Sequence, residues 1–335
     1  MKPKSNKKRV LSGVRPTGKL HWGNYFGALR NWVELQEKYE CFYAVADWHA
    51  LTTGYEHPEE IFPAVVDVLK DWMAAGLDPA KSTIFIQSWV PEHAELHLLL
   101  SMITPLGWLE RVPSFKDMQQ ELSDRDLNMY GFMGYPLLQA ADILIYKADL
   151  VPVGEDQVAH IEFTREVVRR FHFLMKNTML VEPQPLLTHS ARVPGIDGRK
   201  MSKSFGNAIY MADDEETIRK KMMETITDPA RKRRQDPGTP EVCNIFAYHK
   251  LYSGDEKVKW VAEQCRSAGI GCVECKKICI ENALAFWRPI RERRAEWEGR
   301  EEELLSTARK GAEHARQVAV ATMEEVRGAM GLKYR

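Results

Sequence analysis

Apolar residues along this chain follow two alternating rhythms. RVLSGV (residues 9–14), CFYAVAD (41–47) and TIFIQS (83–88) are short, dense apolar runs, the pattern of buried strands. Between them, Leu29, Trp32, Val33 and Gln36 recur at helical spacing, residues 59–75 form a second helical segment, and another begins near Glu92. Strand and helix alternating at this interval predict a parallel sheet covered on both faces. Ligands in such sheets bind at the carboxyl ends of the strands. Beyond about Phe205 the strand-like runs cease and long charged helical segments take over, notably over residues 285–330, with apolar positions on one face. The expected fold class is therefore α/β. A Rossmann-like parallel-sheet domain spans residues 1–205 and an α-helical domain spans 206–335.

Composition narrows the class without changing it. With 335 residues, 44% of them apolar and 28% charged, the chain can bury a large core. Its formal net charge is zero, so a nucleic-acid partner would have to be held by local patches rather than a global basic field. The opening MKPKSNKKRV is basic, but no apolar run of signal-peptide length follows it. No stretch approaches the roughly 18 apolar residues that span a bilayer. These features read as a cytoplasmic protein with no membrane partner. Five of the six cysteines fall between Cys243 and Cys279, which in a reducing compartment points to metal rather than disulfides.

Four stretches carry candidate chemistry. RPTGKLHWGNYFGAL, from Arg15 to Leu29, places glycines, His21 and Asn24 where a strand turns into a helix. Small residues there let backbone approach a ligand, and a helix N-terminus offers N–H groups to an anion. GRKMSKSFGN, from Gly198 to Asn207, sets Lys200 and Lys203 in a glycine-flanked loop, either a solvated basic loop or a cationic clamp on phosphates. Asp142 sits within the apolar YPLLQAADILIY, where a carboxylate is costly unless a donor meets it. Cys243, Cys265, Cys272 and Cys275 are spaced C-x21-C-x6-C-x2-C. That is a four-ligand pattern for tetrahedral zinc or a [4Fe–4S] cluster, and spacing alone does not choose between them.

HWGN, from His21 to Asn24, resembles the first signature of class I aminoacyl-tRNA synthetases, and KMSKS, from Lys200 to Ser204, matches their second. Together with LSGVRPTG, DWHALTT, YPLLQAADILIY and VPVGEDQ, they make the chain similar to tryptophanyl-tRNA synthetases over essentially its whole length. The resemblance implies that ATP and L-tryptophan form tryptophanyl-adenylate and pyrophosphate, with transfer of tryptophan to tRNA(Trp). It implies that Arg15, Pro16, Thr17, His21, Gly23 and Asn24 cradle ATP. Lys116, Lys200 and Lys203 would hold its phosphates, with Met201, Ser202 and Ser204 alongside and Mg2+ accompanying the nucleotide. Gly154, Glu155, Asp156 and Gln157 would contact the ribose and the amino acid, and Val193 the adenine. Asp142 would accept the indole N–H, an acceptor-only group meeting a donor-only ring. Tyr135, His49, Val151 and Val153 would complete the tryptophan pocket with Gln157.

The chain departs from the family in three places: Arg15 for glutamine, His21 for threonine, and Gln139 where some relatives carry methionine. The resemblance also implies a homodimer. It favours [4Fe–4S] over zinc, because a subset of the family holds that cluster on nearly this spacing, with one more residue in the first gap. Cys279 is a spare, a substitute ligand or core. The run Arg231, Lys232, Arg233 and Arg234 is a candidate phosphate contact for tRNA. Competing readings are a tyrosyl-tRNA synthetase, a small-molecule adenylyltransferase and an idle RNA-binding relative. The AADILIY, GEDQ and cysteine sets oppose the first, KMSKS with a helical domain the second, and the intact lysines the third.

Overall fold

A computed structural model describes residues 7–112, 129–187 and 193–333. Strands β1 (Arg9–Val14), β2 (Glu40–Val45), β3 (Ser82–Ile86), β4 (Leu150–Val153) and β5 (Gln184–Leu187) form one parallel sheet in the order β3-β2-β1-β4-β5. The register pairs Val10 with Cys41, Cys41 with Ser82, Val10 with Leu150 and Leu150 with Gln184. The chain builds outward from β1 on one side and then returns to its other side. The crevice between β1 and β4 is thus the topological switch point, where open α/β sheets bind ligands.

The helices among the described residues are α1 (Trp22–Asn24), α2 (Arg30–Leu35), α3 (Asp47–Gly54), α4 (Ile61–Ala75), α5 (Glu92–Ser101), α6 (Leu106–Leu109), α7 (Tyr130–Ile145) and α8 (Val158–Met175). There follow α9 (Glu215–Glu224), α10 (Asn244–Tyr252), α11 (Asp255–Arg266), α12 (Cys272–Ala295) and α13 (Glu301–Ala329). A π-helical turn, Tyr25–Leu29, joins α1 to α2.

Side-chain alternation along the strands divides the core in two. Val10, Tyr43, Val45, Ile84 and Ile86 face one cluster, while Leu11, Phe42, Ala44 and Phe85 face the other. Both clusters recruit the C-terminal helices: Trp287, Ile290 and Leu304 join the first, and Ala312, Ala315, Ala319 and Met323 the second. Helix α13 seals the β3 edge, an otherwise open row of backbone donors and acceptors. Its Gly311 lies so close that a Cβ there would stand 1.8 Å from the Ile84 carbonyl oxygen.

The three strands and the helices at 59–75 and near Glu92 appear where the apolar pattern places them, the former helix beginning with a 3-10 turn at Pro58–Glu60. The closing helical stretch is two helices, broken at residues 296–300, where Gly299 takes a φ of 74°. No helix among the described residues is long and apolar enough to cross a membrane.

Candidate active site

At the switch point lies a cavity of about 960 Å3. Its walls come from the C-terminal ends of the central strands (Gly13, Val151, Val153), from α3 (His49) and α7 (Tyr135, Gln139, Asp142), and from Gln157, Arg15 and Lys200. Gly13 is required by closeness of chain, since a Cβ would sit 2.7 Å from the Ala44 carbonyl oxygen.

Asp142 projects from the buried face of α7 and is 8% exposed. Its carboxylate accepts from Gln87 Nε2 at 2.8 and 2.9 Å, from His93 Nδ1 at 2.6 Å and from His49 Nε2 at 2.9 Å. Because the carboxylate only accepts, both imidazoles donate to it. His93 Nε2 lies 2.6 Å from the Tyr146 hydroxyl. Burial alone would raise the Asp142 pKa, but His93 and His49 outweigh it and hold the group well below the usual carboxylate range. Gln87 and His93 are both fully buried. Sequence reading placed them in a strand end and a helix start without assigning them a part. The one signal was polar side chains closing an apolar run.

The opening turn is a reciprocal cap. The Asn24 N–H donates to His21 Nδ1 at 3.3 Å, and the His21 N–H donates to Asn24 Oδ1 at 2.9 Å. Burial, then Lys203 and Lys200, pull the His21 pKa down to about 4, so the ring is neutral at neutral pH. Trp22 is buried and stacks on Trp287 of α12 at 5.3 Å, with Tyr25, Phe26 and Phe286 packed around the pair. Backbone bonds from Trp22 N–H to Ile209 O and from Met211 N–H to Leu20 O, both 2.9 Å, fasten the turn to the chain that follows KMSKS.

Arg15 lines the cavity, donates to Thr53 Oγ1, and keeps its Nε buried without a partner among the described residues. Burial lowers its pKa. Lys200 is exposed on the cavity wall. Lys203 instead reaches back to the opening turn, its Nζ donating to Gly18 O at 3.0 Å and Thr17 Oγ1 at 3.5 Å. Burial pulls its pKa down to about 8 against the opposing pull of Asp71. Asn207 buckles the loop, accepting from the Ser202 N–H at 2.8 Å and donating to Asp197 Oδ1 at 2.7 Å and Lys200 O at 3.1 Å.

Pro16, Thr17, His21, Gly23, Asn24, Met201, Ser202, Lys203 and Ser204 thus lie on two segments bonded to each other beside the cavity rather than in its wall. Val193 is buried and bonded to Met201 through its carbonyl. Gly154 lines the cavity, Glu155 is exposed, and Glu155–Gln157 form a 3-10 turn. Lys116 and the side chain of Asp156 lie outside the described residues.

The four spaced cysteines converge near the start of α12. The Cys275 thiol is pushed up to about 12, first by burial and then by Cys243, Cys265 and Cys272. It also lies 3.4 Å from His249 Nε2. Among the described residues no group of three or more His, Cys, Asp or Glu side chains is arranged so as to hold a metal ion. The four thiols are gathered, but not closed around a single ion. Cys279 is fully buried with its thiol on the Ile245 carbonyl, so it belongs to the core. Within the basic run, Arg231 is taken up by the Ile270 and Arg234 carbonyls at 2.7 and 2.8 Å and by Cys265 Sγ at 3.8 Å. Lys232, Arg233 and Arg234 stay exposed.

Comparison with known proteins places the chain in a family. The family model for tRNA synthetases class I (W and Y) matches residues 3–287. A tryptophan--tRNA ligase of Thermotoga maritima is 50% identical, with 97% of this chain and 100% of the relative covered. One of Ralstonia nicotianae is 47% identical over 97% of this chain and 99% of its own. The crystal structure of tryptophanyl-tRNA synthetase from Campylobacter jejuni complexed with ADP and tryptophan superposes with a TM-score of 0.87 at 34% identity, covering 97% of this chain and 100% of that one. The chain therefore belongs to the class I tRNA synthetases of the tryptophan and tyrosine group, and within them to the tryptophan–tRNA ligases.

Proposed function

We infer that the chain esterifies tRNA(Trp) with L-tryptophan in two steps within the cavity at the β1/β4 crevice. A carboxylate oxygen of tryptophan attacks the α-phosphorus of ATP, the bond to the β-phosphate breaks, and pyrophosphate leaves. A terminal ribose hydroxyl of the tRNA then attacks the adenylate's carbonyl carbon and releases AMP. No protein nucleophile is needed; positioning and charge stabilisation carry the rate. The observation that bears most weight is the ionised carboxylate of Asp142, buried in the cavity wall and held by three donors. It suits an indole N–H and offers nothing to an apolar ring. Tyr135, His49, Gln157, Val151 and Val153 enclose the amino acid around it.

ATP is cradled by Arg15, Pro16, Thr17, His21, Gly23 and Asn24, and by Gly154, Glu155, Asp156, Val193, Met201, Ser202 and Ser204. The unpartnered Arg15 Nε supports a direct phosphate contact. His21, neutral and with Nδ1 accepting, carries its proton on Nε2 and donates to a phosphate oxygen. Lys116, Lys200 and Lys203 stabilise charge as pyrophosphate departs. Bound Mg2+ would neutralise part of the triphosphate charge. Residues 1–205 form the catalytic domain, and residues 206–335 the helical domain that reads the anticodon, with Lys232, Arg233 and Arg234 on tRNA phosphates. The enzyme works in the cytoplasm as a homodimer, as the family resemblance implies.

Cys243, Cys265, Cys272 and Cys275 fit a [4Fe–4S] cluster better than zinc. A Zn–S distance of about 2.3 Å would draw four sulfurs into one tight tetrahedron. A cubane spreads them further apart, and the family this chain resembles has a subset that holds one on nearly this spacing. Such a cluster braces the helical domain and takes no part in adenylation. The deciding experiment is ATP–pyrophosphate exchange with each of the twenty amino acids: tryptophan alone should support it, and tyrosine-dependent exchange would overturn the assignment.

A further inference from the structure

Asp71 has no assigned part in adenylation, and its surroundings are unusual. It lies on α4, fully buried, although nothing in a helix-on-sheet core requires a carboxylate there. One oxygen accepts from Arg294 Nε at 2.8 Å, and the other from the backbone N–H of Leu20 at 3.3 Å. Leu20 immediately precedes the His21 cap. Arg294 stands in the last turn of α12, the helix whose first turn carries Cys272 and Cys275, and it also binds Asp67 at 2.7 Å and Glu298 at 2.8 Å. Beside it Lys70 binds Glu298 and Glu301 at 2.8 and 2.9 Å, and Arg293 donates to Ala74 O at 2.7 Å. These contacts fix α4 to the helical domain, and the Asp71 carboxylate carries them on by a hydrogen bond to the nucleotide turn.

Lys203 supplies the second line of argument. Its ammonium is bonded to two neutral oxygens of the turn, Gly18 O and Thr17 Oγ1. The titratable groups around it are Asp71 from α4, the neutral His21 of the turn and the cationic Lys200 of its own loop. Asp71 is the anion acting on Lys203 among the described residues. We propose that Asp71 is a positioning residue of the adenylation site: anchored by Arg294, it holds at Leu20 the backbone of the ATP-cradling turn whose Gly18 and Thr17 oxygens seat the Lys203 ammonium. Burial raises the carboxyl to about 6, with Arg294 opposing, so at neutral pH the group is ionised at a cost to stability. Such a cost is understandable where the charge serves the site. The inference rests on the phosphate-clamp reading of Lys203.

The sign of the effect follows directly. Lys203 acts protonated, so activity falls as pH rises through its pKa near 8. Removing the Asp71 charge lowers that pKa further and moves the alkaline limb to lower pH. The test is Asp71→Asn, which keeps an oxygen for the Leu20 N–H. The quantity measured is kcat/KM for ATP in tryptophan-dependent exchange from pH 6 to 10, the profile that reports the free enzyme. The limb should move down by about one pH unit, the low end for loss of a nearby opposite charge. Tryptophan affinity without ATP should stay within about twofold, since Asp71 does not line the cavity. A merely structural residue would lower activity across all pH values and leave the limb in place. If Asp71→Asn fails to fold, Asp71→Asn/Arg294→Gln leaves no unpaired buried charge and carries the same measurement. An unmoved limb in either folded variant overturns the proposal. Lys203→Ala run in parallel separates the two readings: unchanged exchange there sinks the clamp, whereas lost exchange with an unmoved Asp71→Asn limb sinks only the positioning role.

Discussion

Replacing Asp142 with Asn keeps the side chain's volume and removes its charge, which makes it a direct test of how tryptophan is chosen. The carboxylate now accepts four contacts from three donors, on both of its oxygens. An amide has one accepting oxygen, so its NH2 must face either His49 on one side or His93 and Gln87 on the other, donor against donor. With the NH2 turned toward the substrate, one charge-assisted bond of about 1.5–3 kcal/mol to the indole N–H is lost, and that N–H left unpaired on burial costs about 1–3 kcal/mol. Rotation of Gln87 or His49 relieves part of this, leaving about 2–4 kcal/mol. At about 1.4 kcal/mol per tenfold, kcat/KM for tryptophan in pyrophosphate exchange should fall roughly 30- to 700-fold. The loss should be selective. Phenylalanine has no ring N–H to lose, so its feeble activity should change little, and discrimination between the two should shrink. Because the Asp142 pKa is depressed, the carboxylate stays ionised throughout the working range, and tryptophan KM should show no acid limb from it between pH 5 and 8. Equal exclusion of phenylalanine by wild type and a folded Asp142→Asn variant would refute the argument.

Two further outcomes follow from the same geometry. Lys203→Ala should cut the adenylation rate by about 100-fold or more while leaving the tryptophan Kd within twofold, because the charge it meets develops only as pyrophosphate leaves; stopped-flow adenylation beside equilibrium binding checks both halves. Protein purified without oxygen should be brown and hold about four irons per chain, and Cys275→Ser should impair tRNA charging more than exchange, whereas stoichiometric zinc in colourless protein would contradict the cluster.

How much of this was legible depended on distance along the chain. β2 and β3 are almost uniformly buried and β1 carries the buried pair Val10 and Leu11, so dense apolar runs alone locate them. β4 and β5 give no strand signal in the sequence: each has four residues and carries a proline, and β5 is largely solvent-accessible, which leaves little periodicity. Motif residues such as Arg15, His21 and Lys200 announced themselves by residue type. Gln87, His93 and Asp71 did not, since each acquires its meaning from a partner far away in sequence: 55 residues for Gln87 and Asp142, 49 for His93 and Asp142, and 223 for Asp71 and Arg294. A lone polar residue inside an apolar run says that a partner exists without saying which.

The boundary near Phe205 shows the same limit and has a consequence that can be measured. Composition changes there, and the expected helical domain follows. Yet the first core cluster runs without interruption from Val10 to Ala308, and Trp22, Tyr25 and Phe26 of the nucleotide turn pack on Tyr252, Phe286 and Trp287 beyond the boundary. Aromatic side chains bury about 150–250 Å2 each. If half the area of these three rings is covered by the helical domain, about 300 Å2 returns to water when it is removed, costing about 7 kcal/mol at 25 cal/mol per Å2. That equals the whole stability of many domains, before the loss of the Asp71–Arg294 pair and the uncovering of the β3 edge are counted. A fragment of residues 1–205 should therefore lack a cooperative thermal transition by circular dichroism and be cleaved rapidly by protease, with 206–335 faring no better alone. A fragment 1–205 that melts cooperatively near the full chain's Tm would mean that the aromatic junction is a loose contact between independent domains, and that neither Trp22 nor Arg294 can hold the nucleotide turn in place.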